Sequence, residues 1–315
     1  MNPLRPAILA AARSHRLEHT VTRAPVTKRI VERFIAGETR PRVLAVAREL
    51  LDSGRVVSID FLGEDTTDRA AADATVAEYL ALIDELGALT AKTRGVMPAE
   101  VSMKLSALGQ SLPADGGKIA LENAWKVCAK AQESGVWVTV DAEDHTTTDA
   151  TLAAVAQLRE QFPWLGAVLQ AYLRRTEGDC RDLSGSGSRV RLCKGAYQEP
   201  ESVAFRSRAE VDDSYLRCLE VLMRGSGYPM VASHDPAMMT AAQRLVRETR
   251  RSSTDYEHQM LYGIRDQEQA RLARKGTTMR VYVPYGSRWY GYFMRRLAER
   301  PSNLRFFLRS LATRS

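Results

Sequence analysis

Arg280-Val-Tyr-Val-Pro-Tyr-Gly286, followed by Trp289-Tyr-Gly-Tyr-Phe-Met-Arg-Arg-Leu-Ala-Glu299, reads as one strand emptying into one helix. Val281 and Val283 alternate with Arg280 and Tyr282, which is the period of a strand with one apolar face, and Pro284 and Gly286 supply the break. No Pro or Gly interrupts Tyr292 to Arg300, so the spacing predicts a helix on which Arg295 and Glu299, four apart, share a face. Alone, such a pair is the pattern of a solvated ion bridge. Its aromatic company changes the reading. Tyr282, Trp289, Tyr290 and Tyr292 gather around the same turn, and an arginine in an aromatic-walled site suits bidentate carboxylate binding.

Outward from this unit the same rhythm recurs along the chain. Strands are expected at Arg55 to Phe61, Glu100 to Ser106, Trp137 to Ala142, Gly166 to Tyr172, Arg189 to Lys194, Pro229 to His234, His258 to Leu261 and Met279 to Val283. Between them, Ala70 to Leu89, Leu121 to Glu133, Thr151 to Gln161, Ser202 to Met223 and Pro236 to Thr249 carry apolar residues at helical spacing. Strands alternating with helices argue for a parallel sheet, and eight such units fit an α/β fold of the (β/α)8 TIM-like barrel type better than a doubly wound sheet. Residues 52–315 are then the catalytic barrel, and Met1 to about Leu51 an N-terminal helical arm. The glycine-rich Leu183 to Ser188 precedes a strand, whereas a phosphate-cradling turn must follow one and open a helix; it reads as a flexible connection.

Composition narrows the class. The 315 residues are 44% hydrophobic and 26% charged, the balance of a globular protein, and no apolar run approaches the roughly 18 residues of a spanning helix. The net charge of +7 is concentrated in arginine clusters at 244–251 and 288–314, surfaces that favour acidic partners. Cys128, Cys180, Cys193 and Cys218 show neither disulfide nor metal spacing, so a reducing cytoplasm and no metal are expected. Asp141 to His145 offers carboxylates and a histidine but lacks the second cluster that a zinc site would need. In a barrel, catalytic groups sit where strands end. Lys104, Ser106, Asp141, Glu143, Gln170, Arg191, Lys194, Ser233, His234, Gln259 and Tyr282 all fall there, and a charge within a strand is costly unless paired.

At these residues the sequence resembles a family. Leu62-Gly-Glu64, Ser102-Met-Lys-Leu105, Val140-Asp-Ala-Glu-Asp144, Leu169-Gln-Ala-Tyr172, Val190-Arg-Leu-Cys-Lys-Gly-Ala-Tyr197, Ser233-His234 and the 282–299 block are similar to proline dehydrogenase of the monofunctional, FAD-dependent bacterial type. The resemblance runs from about Ile59 to the C-terminus. It implies a distorted (β/α)8 barrel holding FAD, with L-proline on one face of the isoalloxazine and a quinone reoxidising the flavin.

By the same resemblance, Arg295 and Arg296 would pair with the proline carboxylate, assisted by Lys104. Tyr282 and Tyr292, with Tyr197 and Leu261, would shape the pocket, and Glu64 would gate it by pairing with Arg295. Arg191, Lys104 and Tyr282 are the catalytic candidates. Asp141, Gln170, Arg191, Cys193, Lys194, Gly195, Ala196, Ser233, His234 and Glu299 would face the cofactor. A tyrosine at 282 favours proline over trans-4-hydroxyproline, the first alternative. The others are a barrel lyase using Lys104 or Lys194 and a basic barrel that binds nucleic acid; the leading reading expects no nucleic-acid partner. The Asn303 to Leu311 tail places Leu304, Phe307, Leu308 and Leu311 on one helical face. That face suits packing on the barrel or peripheral contact with the inner face of the cell membrane.

Overall fold

The computed structural model describes residues 31–63, 66–90 and 96–299, with side chains as far as Met294. Eight parallel strands close into a barrel in chain order: β1 Val56–Phe61, β2 Ala99–Met103, β3 Trp137–Val140, β4 Gly166–Gln170, β5 Arg189–Cys193, β6 Tyr228–Ala232, β7 Glu257–Leu261 and β8 Met279–Tyr285. The closing seam is the longest register, running from Val56 opposite Arg280 to Phe61 opposite Tyr285. Around the barrel lie α1 Arg40–Asp52, α2 Arg69–Thr90, α3 Gly116–Ser134, α4 Thr148–Arg159, α5 Thr176–Asp182, α6 Arg208–Arg224, α7 Pro236–Thr249, α8 Asp266–Arg274 and α9 Trp289–Glu299.

Period-two alternation explains where the core sits. Val57, Ile59, Val101, Met103, Val138, Val140, Val281 and Val283 join helix residues such as Val43, Ala47, Tyr79 and Leu82 in one buried apolar shell between strands and helices. The intervening residues, Ser58, Asp60, Glu100, Ser102, Thr139, Arg189, Arg191, Glu257, Gln259 and Arg280, are also buried but polar, and the alternation turns them into the barrel. Most barrels fill that space with branched apolar side chains. Here it is charged.

Pro284 does not break β8 as the sequence suggested. The carbonyl of Tyr285 accepts from Leu62 N of the β1 side and that of Tyr282 from Tyr262 N beyond β7. Alternation therefore turns Pro284 towards β7, whose pairing with β8 ends opposite Tyr282. No ladder bond needs its missing N–H there, and its carbonyl accepts from Ala36 N at 2.9 Å. The stop comes at Gly286, whose φ of +123° only glycine adopts without strain.

One helical boundary and one connection also differ from expectation. The segment expected to start a helix at Ser202 forms turns instead, and α6 begins after Ser207. A reciprocal capping box fixes that start, with Glu210 N donating to Ser207 Oγ and Ser207 N donating to Glu210. The 183–188 connection is tied down rather than flexible, because Ser184 O accepts from Ser226 N and Gly227 N at 2.9 and 3.0 Å. A Cβ on Gly227 would sit 2.6 Å from Ser188 O.

Helix α1, which falls in the sequence-defined arm, packs against β1 and β8, and Arg40 at its start reaches Glu78 and Glu85 of α2 at 2.7 and 2.6 Å. Helix α9 packs elsewhere: Trp289, Tyr290, Tyr292, Phe293 and Met294 bury with Val31, Phe34, Ile35 and Leu62, beside Ile264 and Tyr282. Leu62 and Ile264 follow β1 and β7, and Tyr282 is where the β7 to β8 pairing ends, so α9 lies over the mouth of the barrel rather than along its wall.

Candidate active site

The polar interior divides into two layers. In the floor, Arg280 grips Glu257 with two bonds of 2.7 and 3.0 Å and also donates to Val57 O and Met97 O. Glu257 accepts further bonds from Gln259 and Tyr228. Arg189 pairs with Glu100 and donates to Trp164 O, while its guanidinium lies 3.8 Å from the centre of the Trp137 ring. Burial works against ionising Glu100, yet Arg189, Arg280 and Arg191 together hold it below the ordinary carboxylate range.

Arg191 joins floor to mouth. One guanidinium nitrogen donates to Glu100 at 2.6 Å and Ser58 at 3.1 Å; the other donates to Asp141 at 2.6 Å and Ser102 at 2.9 Å. Its Nε is buried without a hydrogen-bond partner. At the mouth, Lys104 Nζ lies 2.9 Å from Asp60 Oδ2, 3.2 Å from Asp141 Oδ2 and 3.4 Å from the Tyr282 hydroxyl. That hydroxyl is 2.6 Å from Asp60 Oδ2 and 2.7 Å from Asp141 Oδ2. Burial, then Asp141 and Asp60, push the Tyr282 phenol well above its usual range. The structure thus brings Lys104, Asp141, Arg191 and Tyr282 into one buried constellation.

Around the β4 to β7 side the remaining candidates form a rim in which Gln170 and Ser233 are buried and Cys193 to Tyr197 and His234 half-buried. Gln170 donates to Glu143 O at 2.8 Å, and Glu143 is itself held by Ser106. Residues Cys193 to Tyr197 are partly exposed. Gly195 has φ +109°, and a Cβ there would strike the Tyr172 ring at 2.3 Å, so only glycine allows the chain to run against that ring. Lys194 is engaged by Asp212 and Asp235, and Asp235 also caps α7 through Ala237 N at 3.0 Å. Ser233 Oγ accepts from Asp235 N, and His234 Nε2 accepts from Leu261 N at 2.9 Å, which places the proton of a neutral imidazole on Nδ1. Leu261 stands opposite Tyr282 in the β7 to β8 register, and Tyr292 is buried against the mouth.

The Asp141 to His145 run disperses instead of converging: Asp141 joins Arg191, Glu143 joins Ser106, Asp144 accepts from Thr146 N, and His145 meets Glu199. Glu64 lies outside the described residues, as do the side chains of Arg295, Arg296 and Glu299 and the whole 303–311 tail. Sequence reasoning missed Asp60, Ser58, Ser102, Glu100 and Glu257. The available signal was their parity, since each alternates with apolar neighbours that face the helices. Both lysines that a Schiff-base lyase would use are occupied by carboxylate pairs, which a nucleophilic lysine must shed.

A closed parallel barrel whose strand ends converge on a buried cation, carboxylate and phenol cluster defines the chain as a TIM-barrel enzyme by fold and site. The profile of the family described as "Proline dehydrogenase" matches residues 43–309, and the chain belongs to that family. It is 35% identical to "Proline dehydrogenase 2" of Bacillus subtilis (strain 168), covering 89% of each chain. To "Proline dehydrogenase" of Deinococcus radiodurans it is 37% identical, covering 90% of each. Among solved structures, proline utilization A from Bdellovibrio bacteriovorus, inactivated by N-propargylglycine, superposes with a TM-score of 0.80 at 25% identity over 87% of this chain. The chain spans about a third of that longer protein, 33%.

Proposed function

We propose that the chain oxidises L-proline to Δ1-pyrroline-5-carboxylate, with FAD as hydride acceptor and a quinone as the final oxidant. The observation that carries this reading is the Lys104, Asp141, Arg191 and Tyr282 network at the mouth of a barrel of this family. The residues fit a flavin: a buried guanidinium with an unpartnered Nε, the half-buried Cys193 to Tyr197 lip, and polar side chains at Gln170, Ser233 and His234 supply a cation, backbone and donors on one side of the mouth. FAD, when bound, would accept the hydride from the ring carbon beside the amine and hold the electrons for the quinone.

The chain's own groups would do the rest. Arg191, Gln170, Lys194, Gly195, Ala196 and Cys193 would face the cofactor, with Glu299, Ser233 and His234 at its margin. Lys194 would exchange Asp235 or Asp212 for a phosphate or ribityl oxygen. Arg295 and Arg296 would hold the substrate carboxylate, with Glu64 gating Arg295. Lys104, kept in place by Asp141, adds positive charge that eases loss of the amine proton before oxidation. The ring of Tyr282 opposite Leu261, with Tyr292 and Tyr197, would fit the unsubstituted pyrrolidine and crowd a 4-hydroxyl. Among the described residues no helix is long and apolar enough to cross a membrane; the enzyme would work in the cytoplasm and reach membrane quinone by peripheral contact.

Anaerobic addition of proline to the FAD-loaded protein tests the reading. Bleaching of the flavin spectrum is expected, stronger with proline than with trans-4-hydroxyproline at equal concentration. Failure to take up FAD, or an oxidised spectrum unchanged by proline, overturns it.

A further inference from the structure

The mouth contains more short oxygen contacts than one phenol can make. Asp60 Oδ2 and Asp141 Oδ2 lie 2.6 and 2.7 Å from the Tyr282 hydroxyl, and each distance is that of a full O–H···O bond. A phenol carries one proton and donates one such bond. Its second short contact must be a bond it accepts. Lys104, at 3.4 Å, is too far to be that donor, and neither carboxylate oxygen can donate while ionised.

A second proton must therefore sit on one of the carboxyls, and their surroundings choose which. Asp141 is anchored as an anion by Arg191 Nη1 at 2.6 Å on its other oxygen. Among the described residues, the one cation that Asp60 meets is Lys104, at 2.9 Å and through the same Oδ2. Its Oδ1 is buried with no hydrogen-bond partner, a setting that costs an ionised carboxylate far more than a neutral acid. We propose that Asp60 is a protonated positioning residue whose Oδ2–H donates to Tyr282, so that the phenol in turn donates to Asp141.

The groups facing Asp60 are consistent with this order. Among the described residues, Ser102 and Lys104 come from β2 and its end, Asp141 from the end of β3, Arg191 from β5, Tyr282 from β8, and from α2 Tyr79, whose hydroxyl donates to Ser102 O at 2.7 Å. Burial, with Asp141 adding to it, raises the Asp60 carboxyl against the opposing pull of Lys104. Among the described residues, a neutral Asp60 removes one negative charge from the side of the mouth where Lys104 and Arg191 lie, which suits an anionic ligand there. The fixed direction of the phenol proton would also hold the Tyr282 ring at one angle over the pocket.

The catalytic meaning of this arrangement rests on the proposed oxidation of proline, but its test does not. Infrared spectra of the purified protein at neutral pH should contain the carbonyl stretch of a protonated carboxylic acid. Heavy-carbon labelling of aspartate should move the band, and Asp60→Asn should remove it. Tyr282→Phe should shift it, because the acid loses its acceptor. Kinetically, Asp60→Asn should retain at least about tenfold more kcat/KM than Asp60→Ala, since an amide N–H can replace the acid O–H. A missing band, one that survives Asp60→Asn, or one that ignores Tyr282→Phe overturns the assignment. If Asp60→Asn does not fold, the labelled wild type and Tyr282→Phe still decide it. A band that behaves as expected in a protein that does not oxidise proline would leave Asp60 assigned and overturn only the proposed reaction.

Discussion

The floor and the mouth of the barrel use the same kinds of side chain to different ends. In the floor every oxygen of Glu257 and of Glu100 meets a guanidinium nitrogen: Arg280 takes both oxygens of Glu257, while Arg191 and Arg189 divide those of Glu100. At the mouth, the Oδ2 atoms of Asp60 and Asp141 divide one ammonium and one phenol, and the other oxygen of Asp60 has no hydrogen-bond partner. Fully matched charge makes a rigid base. Undermatched charge, a few ångströms above it, leaves groups whose protonation and partners can respond to a ligand. Arg191 belongs to both layers and transmits the rigidity of one to the geometry of the other.

The strongest way to break this contrast is Arg280→Met. It would strand Glu257 in the fully buried floor, and removing one partner of such a pair costs about 3–5 kcal/mol. Urea titration should show that loss, and adding Glu257→Gln should return part of it. An undiminished midpoint in Arg280→Met would mean that the floor is not what holds the barrel together.

A third setting sharpens the comparison, because it buries a titratable group with no hydrogen-bond partner of its own. His258 on β7 is fully buried, and neither ring nitrogen has a hydrogen-bond partner. Burial holds its imidazole down to about 4. The unfolded chain takes up that proton near pH 6.5, before the folded one does, so this contribution is complete above 6.5 and is lost as the pH falls towards 4. By pH 4 the loss amounts to about 3 kcal/mol. His258→Leu should flatten this acid limb between neutral pH and about pH 4, as read by urea unfolding at each pH; an unchanged limb would place the acid sensitivity elsewhere.

Lys104→Met probes the mouth. kcat/KM for proline should fall about 10²-fold, or roughly 2.7 kcal/mol of transition-state stabilisation. Its melting temperature should fall less than that of Arg280→Met. Equal losses of stability in the two variants would erase the distinction between layers.

Much of this contrast was legible in the sequence, but not its wiring. The βα rhythm and the alternation of Val281 and Val283 with Arg280 and Tyr282 suffice for the barrel, because period-two burial is local information. Lys104, Asp141, Arg191 and Tyr282 could be singled out as polar residues of the strand segments; Lys104 and Asp141 do follow strands, whereas Arg191 and Tyr282 lie within β5 and β8. Asp60 could not, since its partner Tyr282 is 222 positions away and the contact exists only after β1 and β8 meet. Pro284 misled for a related reason: a proline stops a strand only if a neighbour needs its N–H, and whether β7 reaches that far is a property of the closed barrel. The connection at Leu183 to Ser188 looked loose because its restraints, Ser226 and Gly227, come from the far side of α6.

The smallest expected effect is a control that neither layer should feel. Ser207→Ala removes the capping box of α6 on the outer surface, which should cost about 1 kcal/mol of stability. The flavin spectrum and proline kinetics should stay as they were. A change in kcat would show that the outer helices set the mouth more tightly than the barrel wall suggests.

The seam between β1 and β8 also sets a schedule for the nascent chain. Asp60 is synthesised 222 positions before Tyr282, and the strand that closes the barrel is the same one that brings the phenol to the mouth. A ribosome that has not yet released β8 holds seven strands with an open edge and an Asp60 that cannot share its proton with Tyr282. Contacts of such sequence separation are the slow ones to form. Chemical competence and structural closure therefore arrive in one event, when β8 docks, and a chain that lacks β8 exposes an unfinished sheet rather than a weakly active enzyme.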